Sequence, residues 1–326
     1  SDPSPALYSA LEAYFLHAEA GARIVLTSSE DAGSLVAAVG SVTADVGPAL
    51  WAIPALGSLS GADYQDVAVA LSQAAAGSMG MALLDPPDAV VDPLAGTADP
   101  DVSALVGLAG ILRSVLPSPE HAVLYSAPLV DDSDADRQRV PAAAVMAAEF
   151  TVSDDSVGQW QPPAGTSYTI PDLGPLYDID NETNGNLDSA GIVAIRTMPG
   201  FGTVVWGSRT LGEVQGQVGY VSTVRTLDLV ELSIRNGTEP LRTAPNDPGT
   251  WSTAARGTSS FLEQLWDEGA LFGSDADEAF EVEVGVPDSM TEQDVASGVM
   301  KIHTGVALVF PAQFLTAEVS IQMSTG

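Results

Sequence analysis

Apolar residues in the first half of the chain alternate between helical and strand spacing. Stripes of helical period predict helices over 5–20, 32–44, 62–76 and 101–116. Short apolar runs predict strands at 22–27, 49–54, 80–85 and 121–130. Because strands separated by helices of this length pair in parallel through crossovers, residues 1–152 predict an α/β layer domain.

The second half has a different pattern. Residues 153–190 are rich in Asp, Pro, Gly and Asn, which predicts a long surface connection. Residues 191–326 then predict a C-terminal domain with a mixed sheet and one helix over 251–269. Its strand patterns lie at 191–198, 202–211, 229–234, 279–286, 301–310 and 314–323. The predicted fold class is therefore α/β followed by α+β.

The net charge of the chain limits its possible partners more than any other feature of its composition. The 326 residues include 43 acids and 11 basic residues, for a formal net charge of -32, and Lys301 is the single lysine. Such a balance opposes binding to nucleic acid and to anionic membranes, both of which need clustered cations. Two explanations stay open: an acidic partner-binding surface, or adaptation to molar salt. The even spread of acids along the chain favours the second.

The residue types present, and their spacing, argue against several kinds of functional site. There is no cysteine, which excludes disulfides, thiolate metal sites and cysteine nucleophiles. We expect no membrane span and no signal peptide, because no apolar run is long enough and no basic leader opens the chain. The three histidines, His17, His121 and His303, lack partners at metal-ligand spacing. Asp85 ends a predicted parallel strand, where enzymes place catalytic acids, but a turn cap before Pro86 is the simpler interpretation.

Candidate ligand-binding motifs are equally weak. The segment 200–207, GFGTVVWG, has two glycines of a nucleotide loop but precedes a strand, not a helix. The acidic runs 132–136 and 273–280 do not fit a calcium loop and are interpreted as solvated. Asn181 and Asn236 stand in glycosylation-type sequons, which are common by chance. We therefore expect no catalytic residue, no cofactor and no metal.

Several segments, in one order, resemble the sheath proteins of contractile tails, which form the sheaths of myoviruses, R-type pyocins and injection systems. The segment 11–27 resembles the family's aromatic helix leading into an apolar strand. Similar likenesses follow at 82–87, 122–130, 140–165, 220–234, 261–284 and 307–322. The most specific match is GIVAIRTMPGFGTVVWGSRTL at 191–211. Its matching residues, taken as organising the fold, are Arg196, Gly200, Gly202, Trp206, Gly207 and Arg209.

The resemblance implies a tail-sheath-like fold and a structural, non-enzymatic role. A sheath subunit polymerises around an inner tube and drives its ejection by contraction. Implied partners are further copies of the chain, the tube protein, and baseplate and terminator proteins, with no nucleic acid or membrane. The implied location is a virion tail or phage-tail-like particle assembled in the cytoplasm, with residues 1–152 outside and 191–326 facing the tube. The family's usual N-terminal arm is not found before the aromatic helix, which leaves open the strand exchange that it mediates.

Two segments become candidate contact surfaces. The helix 251–269 is the candidate tube-facing element, with polar residues Arg256, Glu263, Asp267 and Glu268. The strand 314–322 is the candidate intersubunit strand, with Phe314, Thr316, Glu318 and Ser320 on one face, although an ordinary internal strand explains the pattern equally well. The alternatives are another virion polymer, such as a capsid or tube protein, and a halophilic α/β enzyme.

Overall fold

A computed structural model of the chain describes residues 5–18, 29–42, 48–98, 100–131, 138–212, 219–309 and 313–323. The chain forms two compact units, Ser1–Val224 and Arg225–Gly326. The predicted strand at 22–27 and the acidic run at 132–136 lie outside the described residues. No helix in the described part is long and apolar enough to cross a membrane.

The first unit is a layered α/β structure. Its helices are α1 (Pro5–His17), α2 (Ala32–Ser41), α3 (Gly61–Gly77), α4 (Asp88–Val91), α5 (Ser103–Val115), α6 (Ala142–Ser156) and α7 (Asn181–Ser189). Its strands are β1 (Leu50–Ala52), β2 (Met81–Leu84), β3 (Ala122–Tyr125), β4 (Leu129–Asp131), β5 (Arg139–Val140), β6 (Thr169–Ile170), β7 (Leu173–Pro175), β8 (Ile192–Met198) and β9 (Gly202–Trp206).

A six-stranded sheet with the order β1-β2-β3-β8-β9-β6 forms the centre of this unit. β1, β2, β3 and β8 pair in parallel, which confirms the prediction of parallel strands joined by crossover helices. β9 returns antiparallel to β8, and β6 pairs antiparallel with β9 at the edge. A second sheet, β5-β4-β7, is antiparallel. The predicted strand over 121–130 is thus two strands in two sheets, because Pro128 interrupts the run and cannot donate to a ladder.

Helices cover both faces of the six-stranded sheet. Alternate residues of β2 show the division, because side chains of successive strand residues point to opposite faces. Ala82 and Leu84 enter a core that also contains side chains of α3 and α5. Met81 and Leu83 enter a second core, formed with α6 and with Ala13 of α1. The fully apolar strands of the sequence are therefore buried on both faces, as expected for parallel sheets.

The division between units differs from the predicted one. The segment 153–190, expected as a surface connection, supplies β6, β7 and α7, and β7 pairs with β4. β8 lies beside β3, so residues 192–206 extend the sheet of the first unit. Weak periodicity concealed these elements because β6 and β7 are only two and three residues long.

The second unit combines helices with an antiparallel sheet. Its elements are α8 (Val221–Thr238, beginning in the last residues of the first unit), α9 (Pro248–Asp267), α10 (Ala276–Ala279), β10 (Phe280–Val284), α11 (Glu292–Ala296), β11 (Val299–Leu308) and β12 (Gln313–Gln322). The sheet has the order β10-β11-β12. The predicted pairing of 301–310 with 314–323 is confirmed by the β11–β12 ladder.

The predicted strand at 229–234 is wrong, because these residues lie within α8. The buried residues Val230, Ile234 and Thr238 recur every four positions, which is a helical period. A six-residue window is too short to separate that spacing from strand alternation.

Candidate functional site

The hairpin of β8 and β9 carries most of the predicted fold-organising residues. Its turn begins at Met198, whose carbonyl accepts the N–H of Phe201 at 3.0 Å. Pro199 and Gly200 occupy the middle positions, and Gly200 has φ +85°, so the turn needs glycine there. Gly202 follows with φ +84° at the first position of β9. The two glycines therefore set the geometry of a tight turn between two antiparallel strands.

Arg196 is a buried cation on β8. The residue is 8% exposed, and its Nη1 donates to Asn181 Oδ1 at 3.1 Å at the start of α7. The N-cap of α7 is Asp180, which accepts the N–H of Thr183 at 2.8 Å. Hydrogen bonds from Thr183, more than the nearby charge of Arg196, hold the pKa of Asp180 below its usual range. Arg196 thus ties the strand to the helix entry.

Arg209 forms a two-pronged corner just after β9. Its Nε and Nη2 each donate to Asp188 in the last turn of α7, at 3.2 Å to Oδ1 and Oδ2. Its guanidinium carbon also lies 4.2 Å from the ring centroid of Tyr220. Trp206, at the end of β9, is half-buried, and Gly207 has φ +139° beside Val193. These contacts describe a structural corner and contain no nucleophile or general base.

Asp85 has a role that spacing in the sequence does not reveal. Its carboxylate accepts the N–H of Ala142 at 2.7 Å, and the N–H of Ala143 lies 3.3 Å from both oxygens. It therefore caps α6, whose N-cap residue Pro141 has no side-chain acceptor. Burial raises the pKa of Asp85 to about 7, although the two backbone donors act to lower it. The predicted cap on the local turn before Pro86 is therefore wrong: the carboxylate caps a helix whose first residue lies 57 positions away.

The candidate tube-facing helix α9 has two distinct faces. Asp247 caps its start by accepting the N–H groups of Gly249 and Thr250, both at 3.0 Å. The buried stripe recurs at helical spacing and consists of Thr250, Ala254, Thr258, Leu262 and Leu265. Arg256, Glu263 and Asp267 of α9, and Glu268 just after it, are all exposed, so every residue predicted for contact is accessible.

The candidate intersubunit strand lies at the edge of its sheet. Within the described residues β12 pairs only with β11, over ten positions. Glu318 and Ser320 are exposed opposite His303 and Lys301, while Val319 and Ile321 are buried. Phe314 and Thr316 occupy the positions opposite Ala307 and Gly305. The unpaired side of β12 is a long row of backbone groups available to another strand.

The histidines lie apart from one another. Nδ1 of His17 is 3.0 Å from Glu149 Oε1, and Nδ1 of His121 is 2.8 Å from the carbonyl oxygen of Gly80. His303 stands on β11 between Glu283 of β10 and Glu318 of β12. No group of three metal-binding side chains suited to a metal ion occurs within the part of the chain that the structure describes.

Comparisons with known proteins show what this arrangement resembles. A family model described as the phage tail sheath C-terminal domain matches residues 213–322. The PVC sheath of an extracellular contractile injection system, in its contracted state, has a TM-score of 0.71 and 25% identity over 95% of this chain and 78% of that one. The helical sheath of the anti-feeding prophage, also contracted, has a TM-score of 0.69 and 25% identity over 97% and 82%.

Over nearly its whole length the chain is similar to contractile tail-sheath proteins. A chain of the anti-feeding prophage baseplate adds support for the fold, with a TM-score of 0.71 and 24% identity over 99% of this chain and 82% of that one. None of the curated proteins matches the chain. The sheath resemblance stated from the sequence is therefore confirmed.

The likeness to contractile sheath proteins bears on the functions considered from the sequence. The chain is a structural sheath subunit of a contractile machine, in place of the capsid and tube alternatives. The family is a structural one, in keeping with a corner at Arg209 that is built from packing and charge. The resemblance to sheath proteins pointed to the motif at 191–211, whereas the capping role of Asp85 needed the folded chain.

Proposed function

We propose that this sheath subunit polymerises around an inner tube and drives the ejection of that tube when the polymer contracts. The solved relatives are the PVC sheath of an extracellular contractile injection system and baseplate and sheath chains of the anti-feeding prophage, so we propose a particle of this kind here. The proposed partners are further copies of this chain, a tube protein, and baseplate and terminator proteins. Assembly takes place in the cytoplasm, with no nucleic acid or membrane as a partner.

The ten-residue free edge of β12 is the observation that carries this proposal. A strand donated by a neighbouring copy would add there, gaining main-chain hydrogen bonds and a register set by alternating side chains. The buried side chains of Val319 and Ile321 hold β12 on its own sheet, so its outer edge is presented in a fixed orientation. The residues proposed for this contact between copies are Phe314, Thr316, Glu318 and Ser320.

We further propose that the unit Arg225–Gly326 faces the tube and that the unit Ser1–Val224 lies outside it. The open face of α9 supplies the tube contact through Arg256, Glu263, Asp267 and Glu268. Gly257 lies on the same face with open space above it, which permits close approach of another surface. The motif residues Arg196, Gly200, Gly202, Trp206, Gly207 and Arg209 keep a fold-organising role.

Co-expression with the tube protein of the same particle tests the proposal. We expect electron microscopy of the purified product to show hollow, striated cylinders that contain a tube. A Ser320→Pro variant removes one main-chain donor from β12 and should shorten or abolish the cylinders, whereas Ser320→Ala, which keeps that donor, is the control. Monomeric chains at high concentration in every salt condition would contradict the proposal.

A further inference from the structure

His303 lies in the three-stranded sheet of the second unit, on the central strand β11. The residue directly opposite it on β10 is Glu283, and the residue directly opposite it on β12 is Glu318. Opposed residues of an antiparallel pair place their side chains on the same face, with Cβ atoms about 5 Å apart. His303 therefore stands between two glutamates, one on each neighbouring strand.

These three side chains lie on the solvent-facing side of the sheet. Ile302 and Thr304, the neighbours of His303 along β11, are buried, whereas His303 itself is half-buried. Glu283 and Glu318 are exposed. A proton can therefore reach the imidazole from solvent without a change in the fold. We call His303, Glu283 and Glu318 the charged row.

Lys301 is a second basic residue on this side of the sheet, opposite Ser320 of β12. Its Nζ lies 3.3 Å from Asp294 Oδ1 of α11, so the charge of Lys301 already has a partner. Within the described residues His303 makes no hydrogen bond to the glutamates of the charged row, so the three interact through charge alone. The charge on His303 is therefore the variable one in the row.

The other elements that contact β11 contribute mostly acidic residues. Besides β10 and β12, the helices α9, α10 and α11 pack against β11. The charged residues of these helices, with the remaining one of β10, are Arg256, Glu263, Asp267, Asp277, Glu278, Glu281, Glu292 and Asp294. All of them except Arg256 are acidic, so a positive charge on His303 is surrounded mainly by negative ones.

The charge on His303 affects the free edge of β12. Histidine side chains gain and lose their charge between about pH 5 and pH 8, where glutamates in water stay ionised. When His303 is neutral, Glu318 presents an uncompensated negative charge beside this edge, which repels a neighbouring copy of net charge -32. When His303 is charged, it offsets Glu318 and favours the pairing of β12 with β11.

We propose that the charge on His303 controls the addition of a neighbour's strand at the free edge of β12, so that polymerisation is favoured in mildly acidic solution. The inference rests on the proposed function, because it concerns the regulation of the contact proposed there. A bound neighbour brings further carboxylates towards His303, so the polymer holds a proton at this position more tightly than the free chain does. By linkage, the polymer gains stability as the pH falls.

Two substitutions of His303 fix its charge in opposite senses. His303→Gln is neutral at every pH, and His303→Lys is charged across the whole range in which histidine titrates. The critical concentration for polymerisation is measured by sedimentation at about pH 5.5 and about pH 8. Because acid lowers the negative charge of every chain, each variant is compared with the parent at the same pH. The salt concentration is the lowest that keeps the parent folded, since salt screens charges at these distances.

The two variants should differ from the parent at opposite ends of the pH range. At about pH 8 we expect His303→Lys to polymerise at a concentration about fivefold lower than the parent, and His303→Gln to equal the parent. At about pH 5.5 we expect His303→Gln to need about fivefold more protein than the parent, and His303→Lys to equal it. The position is half-buried, so both melting temperatures should stay near that of the parent.

Glu318→Gln tests whether the effect acts at the free edge of β12. This variant lacks the carboxylate that His303 offsets, so we expect it to polymerise more readily than the parent at about pH 8 and to gain less on acidification. Glu292→Gln is the matched control, because it removes one acid of α11 outside the charged row. It should keep the response of the parent to pH.

The outcomes distinguish this inference from the proposed function. If the parent forms cylinders and both His303 variants polymerise as it does at both pH values, the inference is wrong and the sheath role stands. A parent that polymerises less readily in acid than His303→Gln would overturn the inference in the same way. If the parent forms no polymer under any condition, the sheath role itself fails, and the inference fails with it.

Discussion

Arg209 donates two parallel hydrogen bonds to Asp188, from Nε to Oδ1 and from Nη2 to Oδ2, both at 3.2 Å. The pair joins the segment after β9 to the last turn of α7, two elements that meet only because β8 and β9 extend the central sheet. The ring of Tyr220 covers the guanidinium at 4.2 Å, so the corner combines a fork with a stacked cation.

Arg209→Lys tests whether fork geometry or charge matters at this corner. Lysine keeps the charge but cannot make two parallel bonds or stack as a plane. We expect the free energy of unfolding to fall by about 1–2 kcal/mol, limited by the partial exposure of Asp188. Chemical denaturation measures it, and Arg235→Lys, in the exposed pair with Glu231, is the control with little change. Equal effects at both positions would show that the corner has no special role.

The shifted pKa of Asp85 should make the free energy of unfolding decrease as the pH rises. Burial raises the pKa of Asp85 from 3.8 to about 7, so the folded chain holds this proton more tightly than the unfolded chain. The contribution of Asp85 to stability is therefore fully present below pH 3.8 and is lost as the pH rises toward 7, with a slope approaching about 1.4 kcal/mol per pH unit. Above pH 7 the contribution is constant.

The parent and Asp85→Asn are compared by denaturation between pH 4 and pH 8, since asparagine does not titrate. The stability of the parent minus that of the variant should fall across this range. A difference that increases with pH would mean that the N–H groups of Ala142 and Ala143 stabilise the carboxylate more than burial opposes it. Asp85→Ala, which leaves two donors unpaired and does not titrate, should cost about 2 kcal/mol at pH 4 and less as the pH rises toward 7.

The sequence predicted the layered first half well, because β2 and β3 are continuous apolar runs flanked by helical stripes. The predicted end of the helix at 269 lies two residues beyond the end of α9 at Asp267, and Gly269 there adopts φ +83°. Prediction from the sequence failed at α8, where six residues cannot distinguish two periods, and at β6 and β7, which are too short to show one. The contacts of Asp85 with α6 and of His17 with Glu149 could not be predicted, because they depend on tertiary packing and not on spacing along the sequence.

The net charge of -32 predicts a strong response to salt. Repulsion among carboxylates acts over about 10 Å at 0.1 M salt and about 3 Å at 1 M, so salt should favour the folded chain. We expect the melting temperature to rise steadily from dilute to molar sodium chloride, measured by calorimetry. A melting temperature that is unchanged over this range would contradict adaptation to salt and favour an acidic partner-binding surface.

Because the open face of α9 is exposed, we expect substitutions on it to weaken tube binding without lowering the stability of the fold. Glu263 and Asp267 are exposed, so the double variant Glu263→Lys and Asp267→Lys should melt within a few degrees of the parent. We expect the polymer of this variant to lose its tube, as measured by co-sedimentation with the tube protein. A charge-matched variant at Asp277 and Glu292, on α10 and α11 of the same unit, should retain the tube.

The sheath role is tested by a three-dimensional reconstruction of the assembled polymer by electron cryomicroscopy, at a resolution that separates helices. We predict a hollow helical sheath with the open face of α9 lining the bore and a neighbour's strand added to the edge of β12. A polymer whose bore is lined by the unit Ser1–Val224, or with no strand beside β12, would contradict it.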